Sequence, residues 1–220
     1  MERSIDTRPF FRQLDILAPD EITKETTIIG AGGIGSPVML MLIKMGFPKL
    51  RIFDPDIVEE HNVPNQLYGF EDSQKKKVDA LADNVNKYMY SNQEATYTRT
   101  KWNGSITPII ISAVDSMGER IKIWKKIKDS KFELYVDARM GGELMRIYTV
   151  QNNASSKRFY ETTLHSSAEA DEVPCTARAV LYNIFIISGL IGMQLAKFIK
   201  KKELNKELIF DLTNVEFIKS

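Results

Sequence analysis

Short apolar runs alternate with stretches of helical period from Thr26 onward, the pattern of strand-helix-strand units laid on a parallel sheet. The first run, Thr26–Gly30, leads through a glycine-rich turn into a nearly all-apolar helix from Ile34 to Met45, which Gly46 and Pro48 bring to an end. Leu50–Asp54 predicts a second strand. After a polar loop, Val78, Leu81, Val85, Tyr88 and Met89 recur on one stripe and predict an amphipathic helix over Ser73–Met89. Ala95–Thr100 alternates as a third strand, and Ile109–Val114 is a continuous apolar run suited to a strand covered on both faces. Met117–Lys128 is helical, and Leu134–Arg139 supplies a fifth strand.

Past Gly142 the period changes. Glu143–Gln151 and Arg158–Leu164 alternate on either side of Asn152–Lys157, which predicts an antiparallel hairpin added to the parallel strands. Ser166–Thr176 reads as a long acidic loop, and loops of that length are commonly functional. A long apolar helix follows, then the basic stretch Lys197–Lys202 and a last strand-like run, Leu208–Leu212. The 18 uncharged residues 179–196 reach the length of a membrane span. Asn183, Ser188 and Gln194 interrupt them, and an α/β context favours a buried core helix and no membrane partner. The expected fold is α/β: a doubly wound, mainly parallel sheet extended by antiparallel strands, with helices on both faces.

Composition narrows the reading. At 220 residues the chain is one domain, and 43% hydrophobic side chains are enough to build its core. Thirty Lys+Arg against 29 Asp+Glu leave a net charge of +1, which argues against a nucleic-acid partner. One cysteine, Cys175, excludes an internal disulfide and fits a reducing compartment, the cytoplasm. With two histidines besides, a four-thiolate zinc site within the chain is excluded, and the N-terminal residues lack a secretory pattern.

The chemistry concentrates after the first strand. Gly30, Gly32, Gly33 and Gly35 stand between a strand and a helix, where glycine permits a tight turn and lets backbone amides approach a phosphate. Asp54, at the end of the next strand, is placed to accept hydrogen bonds from ribose hydroxyls. These features point to a Rossmann-like nucleotide site in residues 26–142, between an N-terminal helical arm (1–25) and a half made of antiparallel strands, cysteine loop and C-terminal helix (143–220). They leave the nucleotide open: NAD or FAD satisfies both, whereas a P-loop would require a Lys-Ser/Thr ending.

Further motifs move the reading away from a dehydrogenase. Gly30–Gly35 (GAGGIG), the run DPDIVEEHNVPNQ from Asp54 to Gln66, Lys77, Asp115 and RPFFRQ at Arg8–Gln13 together resemble the ThiF/MoeB-type adenylyltransferases, the superfamily that includes ubiquitin-activating enzymes. The resemblance runs from Arg8 to about Lys200. It implies Asp54 on the ribose, Asn62 near the phosphates, Gln66 supporting the loop and Lys77 on the ATP phosphates. It makes Asp115 the ligand for Mg²⁺, a hard cation suited to carboxylate oxygen. Arg12 matches an arginine that reaches into the partner subunit's ATP site, which implies a homodimer. Arg120 is similar to a further family arginine or is a helix-surface residue. Cys175 matches a position that forms thioester or persulfide intermediates in some members. Its place before a helix, with Arg178 nearby, favours a thiolate, and the other reading is a small buried side chain.

Three departures stand out: Asn65 replaces the arginine of the family's Arg-Gln pair, Ser116 replaces an asparagine after the metal aspartate, and the CxxC pairs of zinc-holding members are absent, so no zinc is expected. His61 and His165 read as loop residues. The resemblance implies ATP- and Mg²⁺-dependent adenylation of the C-terminal carboxylate of a ubiquitin-like or sulfur-carrier protein, or of a peptide, ending in Gly. Asn65 and Ser116 support a second possibility, an impaired nucleotide-binding subunit of a heterodimeric activating enzyme. An NAD- or FAD-dependent oxidoreductase is the third.

Overall fold

The computed structural model describes residues 7–165 and 180–220. Two 3-10 turns, Arg8–Gln13 and Pro19–Glu21, precede the sheet. Strands β1 (Thr26–Ile29), β2 (Lys49–Phe53), β3 (Glu94–Thr98), β4 (Ile109–Ser112) and β5 (Leu134–Gly141) lie parallel in the order β3-β2-β1-β4-β5. Strands β6 (Leu144–Gln151), β7 (Glu207–Asp211) and β8 (Glu216–Lys219) extend the sheet antiparallel beyond β5.

Helices α1 (Gly35–Met45), α2 (Lys77–Val85) and α5 (Leu181–Ile199) cover one face, and α3 (Met117–Ile127) and α4 (Ala154–Glu161) cover the other. The period of two shows why the central strands look uniformly apolar. Ile28, Ile109, Ile111, Leu134 and Val136 pack under α1 and α5, while their neighbours Ile29, Ile110 and Tyr135 pack against α3 and α4. Gly46 closes α1 with φ +93°, its amide and that of Phe47 returning to Ile43 and Leu42 carbonyls.

The hairpin expected from Glu143–Gln151 and Arg158–Leu164 is a different structure. The hairpin is β5–β6, turned by Gly142 at φ +60°, and the second segment is the helix α4. Asn153 starts that helix by accepting the Ser156 amide at 2.9 Å, and Ser156 and Tyr160, one turn apart, are buried against the sheet. The helix expected over Ser73–Met89 begins later, at Lys77, and ends in a 3-10 turn at Asn86–Tyr88. Residues 74 and 75 pair instead with Val58, with Gln74 at φ +69°, which holds them out of the helix. α5 is long and apolar enough to cross a membrane, yet Ile184, Ile187, Ile191 and Leu195 are fully buried and α1 packs along it at Gly192, where a Cβ would meet Met41.

A buried charge cluster ties α3, β5 and α4. Asp137 has no exposed surface and accepts from Arg120 Nε at 3.0 Å, Arg139 Nε at 2.7 Å and the Tyr160 hydroxyl at 3.0 Å. Arg120 Nη2 also donates to the carbonyls of Ala138 and Val114. Arg120 is therefore no surface residue: it joins the start of α3 to β5. Burial, with the Tyr135 and Asp137 neighbours, pushes the Tyr160 phenol well above its usual range, so it stays a donor. Arg120→Met removes one of the two guanidinium partners of a buried carboxylate and is expected to lower unfolding free energy by about 3 kcal/mol, measured by urea titration; a loss below about 1 kcal/mol would show the pair to be dispensable.

Candidate active site

The connections from β1 and β4 leave in opposite directions, which opens a crevice outside their C-terminal ends. The glycine-rich turn follows β1, Asp54 follows β2, and Asp115 follows β4 by three residues. One edge of the sheet therefore gathers the three groups.

The glycines divide into two kinds. Gly30, at φ +100°, would place a Cβ 2.7 Å from the Ala113 carbonyl oxygen, and a Cβ on Gly35 would fall 1.8 Å from the Gly30 carbonyl oxygen. Both are required by backbone packing. A Cβ on Gly32 would meet no protein atom within 4 Å, and one on Gly33 would come within 3.3 Å of the Asn65 carbonyl and of Ile184. The turn thus leaves open space over Gly32 at the mouth of α1, which fits a phosphate group.

Asp54 is nearly buried, and its oxygens accept the Ala31 amide at 2.7 Å and the Asp56 amide at 2.8 Å. It holds the glycine turn to the β2 exit, a function absent from the ribose role that the sequence suggests. Asn62 lies in the 3-10 turn Glu60–Asn65 and accepts the Glu59 amide at 3.0 Å, so it too shapes its loop. Gln66 Oε1 is buried without a protein partner. Lys77 opens α2, with Nζ 3.5 Å from Asp56 Oδ2 and its side chain largely shielded. Asp115 is exposed on the β4–α3 turn, and Ser116 caps α3 by accepting the Glu119 amide. An exposed carboxylate free of protein partners at the C-terminal edge of the sheet fits Mg²⁺, which takes one or two carboxylates beside phosphate oxygens and water. Among the described residues no group of three or more His, Cys, Asp or Glu side chains is arranged to hold a metal by itself.

Arg12 is not brought to these residues. Its 3-10 turn packs on the other end of α1, where Gln13 donates to the Met45 carbonyl at 3.0 Å, and the 11-residue helix separates it from the glycine turn by about 15 Å. His61 is exposed beside Glu59, and His165 is exposed. Cys175 and Arg178 lie outside the described residues, as does the loop Ser166–Thr176.

The sequence reading missed Tyr68, whose buried hydroxyl donates to the Ala31 carbonyl at 2.6 Å. No periodic or motif signal marks it; only the aromatic residue two positions after Gln66 hints at packing near the turn. Burial, followed by the Asp54 and Asp72 charges, pushes its phenol above the usual range and keeps the proton on the hydroxyl.

Comparisons with known proteins bear on the family and the fold. The probable adenylyltransferase/sulfurtransferase MoeZ of Mycobacterium tuberculosis is 36% identical over 59 residues, 26% of this chain and only 15% of MoeZ's length. Among solved structures, PaaA superposes with a TM-score of 0.77 at 19% identity, covering 100% of this chain and 77% of PaaA. E. coli MccB, solved with AMPCPP and MccA, superposes with a TM-score of 0.71 at 16% identity, covering 92% of this chain and 65% of MccB. The ThiF family pattern matches residues 22–219, from just before β1 through β8. This chain belongs to the ThiF family.

Proposed function

We propose that the protein is an ATP-dependent adenylyltransferase of the cytoplasm that activates the C-terminal carboxylate of a small ubiquitin-like or sulfur-carrier protein, or of a peptide, ending in Gly. The observation that carries this reading is the gathering of an open glycine turn, Asp54, Lys77 and Asp115 around the crevice beyond β1, β2 and β4. The MoeZ resemblance and the fold shared with MccB, itself solved with AMPCPP and MccA, support it.

In this reading the glycine turn and the amides opening α1 receive the phosphates, and Asp54 accepts from the ribose while it steadies the turn. A carboxylate oxygen of the acceptor attacks the α-phosphorus as the bond to the bridging oxygen breaks, yielding acyl-adenylate and pyrophosphate. No protein base is required, because the acceptor carboxylate is already ionised near neutral pH. Lys77 moves from Asp56 to the phosphates and offsets the charge that develops on the leaving group. Asp115 would hold Mg²⁺, which would supply charge neutralisation at the phosphate oxygens.

Arg12, remote from the site of its own chain, is assigned to the site of a second copy. Exposed apolar side chains support a homodimer: Phe11 and Ile16 on the N-terminal arm, and Leu181, Tyr182 and Phe185 on α5. Light scattering at micromolar concentration should return twice the chain mass; a monomer with full activity would overturn this assignment.

ATP–pyrophosphate exchange by the purified chain, with candidate Gly-ended acceptors, tests the activity itself. Asp115→Ala should reduce exchange by at least about 100-fold with an unchanged melting temperature, since the residue is exposed at a strand end. Lys77→Ala should lower kcat by about 100-fold while KM for ATP shifts less than about threefold; equal losses in both would make it a ground-state contact instead. A folded parent with no exchange alone, active only beside a homologue, would favour the impaired-subunit reading that Asn65 and Ser116 suggest. For Cys175 we propose attack of the thiolate on the acyl-adenylate, forming a thioester and releasing AMP. Cys175→Ser should keep exchange and lose transfer to the acceptor's next partner; full transfer by Cys175→Ser would leave adenylation as the whole activity.

A further inference from the structure

The turn from Gly30 to Gly35 contains four glycines, and a backbone so unrestricted makes a poor phosphate cradle unless its neighbours fix it in advance. Two hydrogen bonds fix Ala31, which is fully buried: Asp54 Oδ2 accepts its amide at 2.7 Å, and the Tyr68 hydroxyl donates to its carbonyl at 2.6 Å. One residue on, Ser36 Oγ donates to the Gly32 carbonyl at 2.8 Å and accepts the Leu67 amide at 3.2 Å. Tyr68 directly, and Leu67 through the Ser36 hydroxyl, therefore hold the turn at two successive carbonyls.

That pair is itself anchored on α2. Asn84 Nδ2 donates to the Leu67 carbonyl at 3.1 Å and to Asp72 Oδ2 at 2.9 Å, and the same Asp72 oxygen accepts the Gly69 amide at 3.0 Å. Lys75 Nζ lies 2.9 Å from the other Asp72 oxygen. Asp72 is almost completely buried, so this anchor is shielded from water. The path runs from the helix that carries Lys77, through Asn84 and Asp72, to Tyr68 and on to the peptide between Ala31 and Gly32.

We propose that Tyr68 is a positioning residue for nucleotide binding: its hydroxyl sets the glycine turn in register with α2, so that the phosphate cradle and Lys77 face one ligand. The inference rests on the nucleotide reading of this site and assigns the residue that pre-forms it. Asp54 holds only the amide side of Ala31 and Ser36 only the carbonyl of Gly32, so the Ala31 carbonyl between them is held by Tyr68.

The test compares the parent with Tyr68→Phe, which deletes one hydroxyl and keeps the ring, and with Tyr97→Phe, where the lost bond goes to Asn86 on the far end of α2. Titration calorimetry with AMPCPP should show binding about tenfold weaker in Tyr68→Phe and unchanged in Tyr97→Phe. Exchange assays should show KM for ATP rising by a similar factor with kcat within about threefold. Without nucleotide, amide hydrogen exchange in Tyr68→Phe should quicken in residues 30–36 and stay at the parent's rate in β4 and β5. Equal affinity of Tyr68→Phe and parent overturns the proposal. Faster exchange throughout the sheet also overturns it, since Tyr68 would then support the fold rather than the turn. If the parent itself fails to bind AMPCPP, the nucleotide reading falls, while hydrogen exchange still decides whether Tyr68 holds the turn.

Discussion

The end of β1 lies so close to the exit of β4 that no side chain fits between them. Gly30 rests against the Ala113 carbonyl, and Gly35 then rests against the carbonyl of Gly30. Because β1 and β4 meet there without a spacer, α1 starts directly over the sheet and lays Val38, Met39 and Leu42 on the central strands. The same approach brings the Asp54 carboxylate to Ala31 and sets the β4–α3 turn, with Asp115, across the crevice from the glycine turn. A methyl group at either glycine would separate those backbones, and every group assigned to the ligand depends on their separation.

The parallel half of the fold was legible because its signals are local. A strand buried on both faces reads as an apolar run, and Gly46 marks a helix end through its own backbone conformation. The placement of the candidate site was legible for a similar reason: Gly30–Gly35 and Asp54 sit at fixed offsets from strand ends. The errors arose where two periods agree over a short segment. Arg158–Leu164 alternates well enough to pass for a strand, and the feature that decides it, Asn153 capping the Ser156 amide, lies just upstream. Strand β8 left no readable trace, since Glu216–Lys219 is exposed throughout and carries no buried face to pattern.

Tyr68, and the buried place of Arg120 that its resemblance to a family arginine left undecided, were illegible for a different reason. Each is defined by partners distant in sequence: Arg120 by Asp137, and Tyr68 by Ala31. A charged residue on a helix normally implies solvent, and only the buried carboxylate of Asp137 reverses that reading. Both residues secure main-chain carbonyls beside the crevice, Val114 and Ala138 in one case and Ala31 in the other. The loops that present candidate ligand groups are thus fastened from beneath by side chains whose partners lie far away in sequence.

α5 joins parts of the chain that are far apart in sequence. It packs along α1, lies against β5 and β6, and brings Ile184 to the side of Gly33. Strands β1 to β6 and α1 are complete before the ribosome has made Leu181, so during synthesis the α1 face of β5 and β6 stays open, with Val136, Met145 and Ile147 uncovered. The final closure must span most of the chain, a non-local contact of the kind that slows folding. A nascent chain paused before α5 is an apolar surface awaiting its cover, and aggregation competes with folding until that helix arrives.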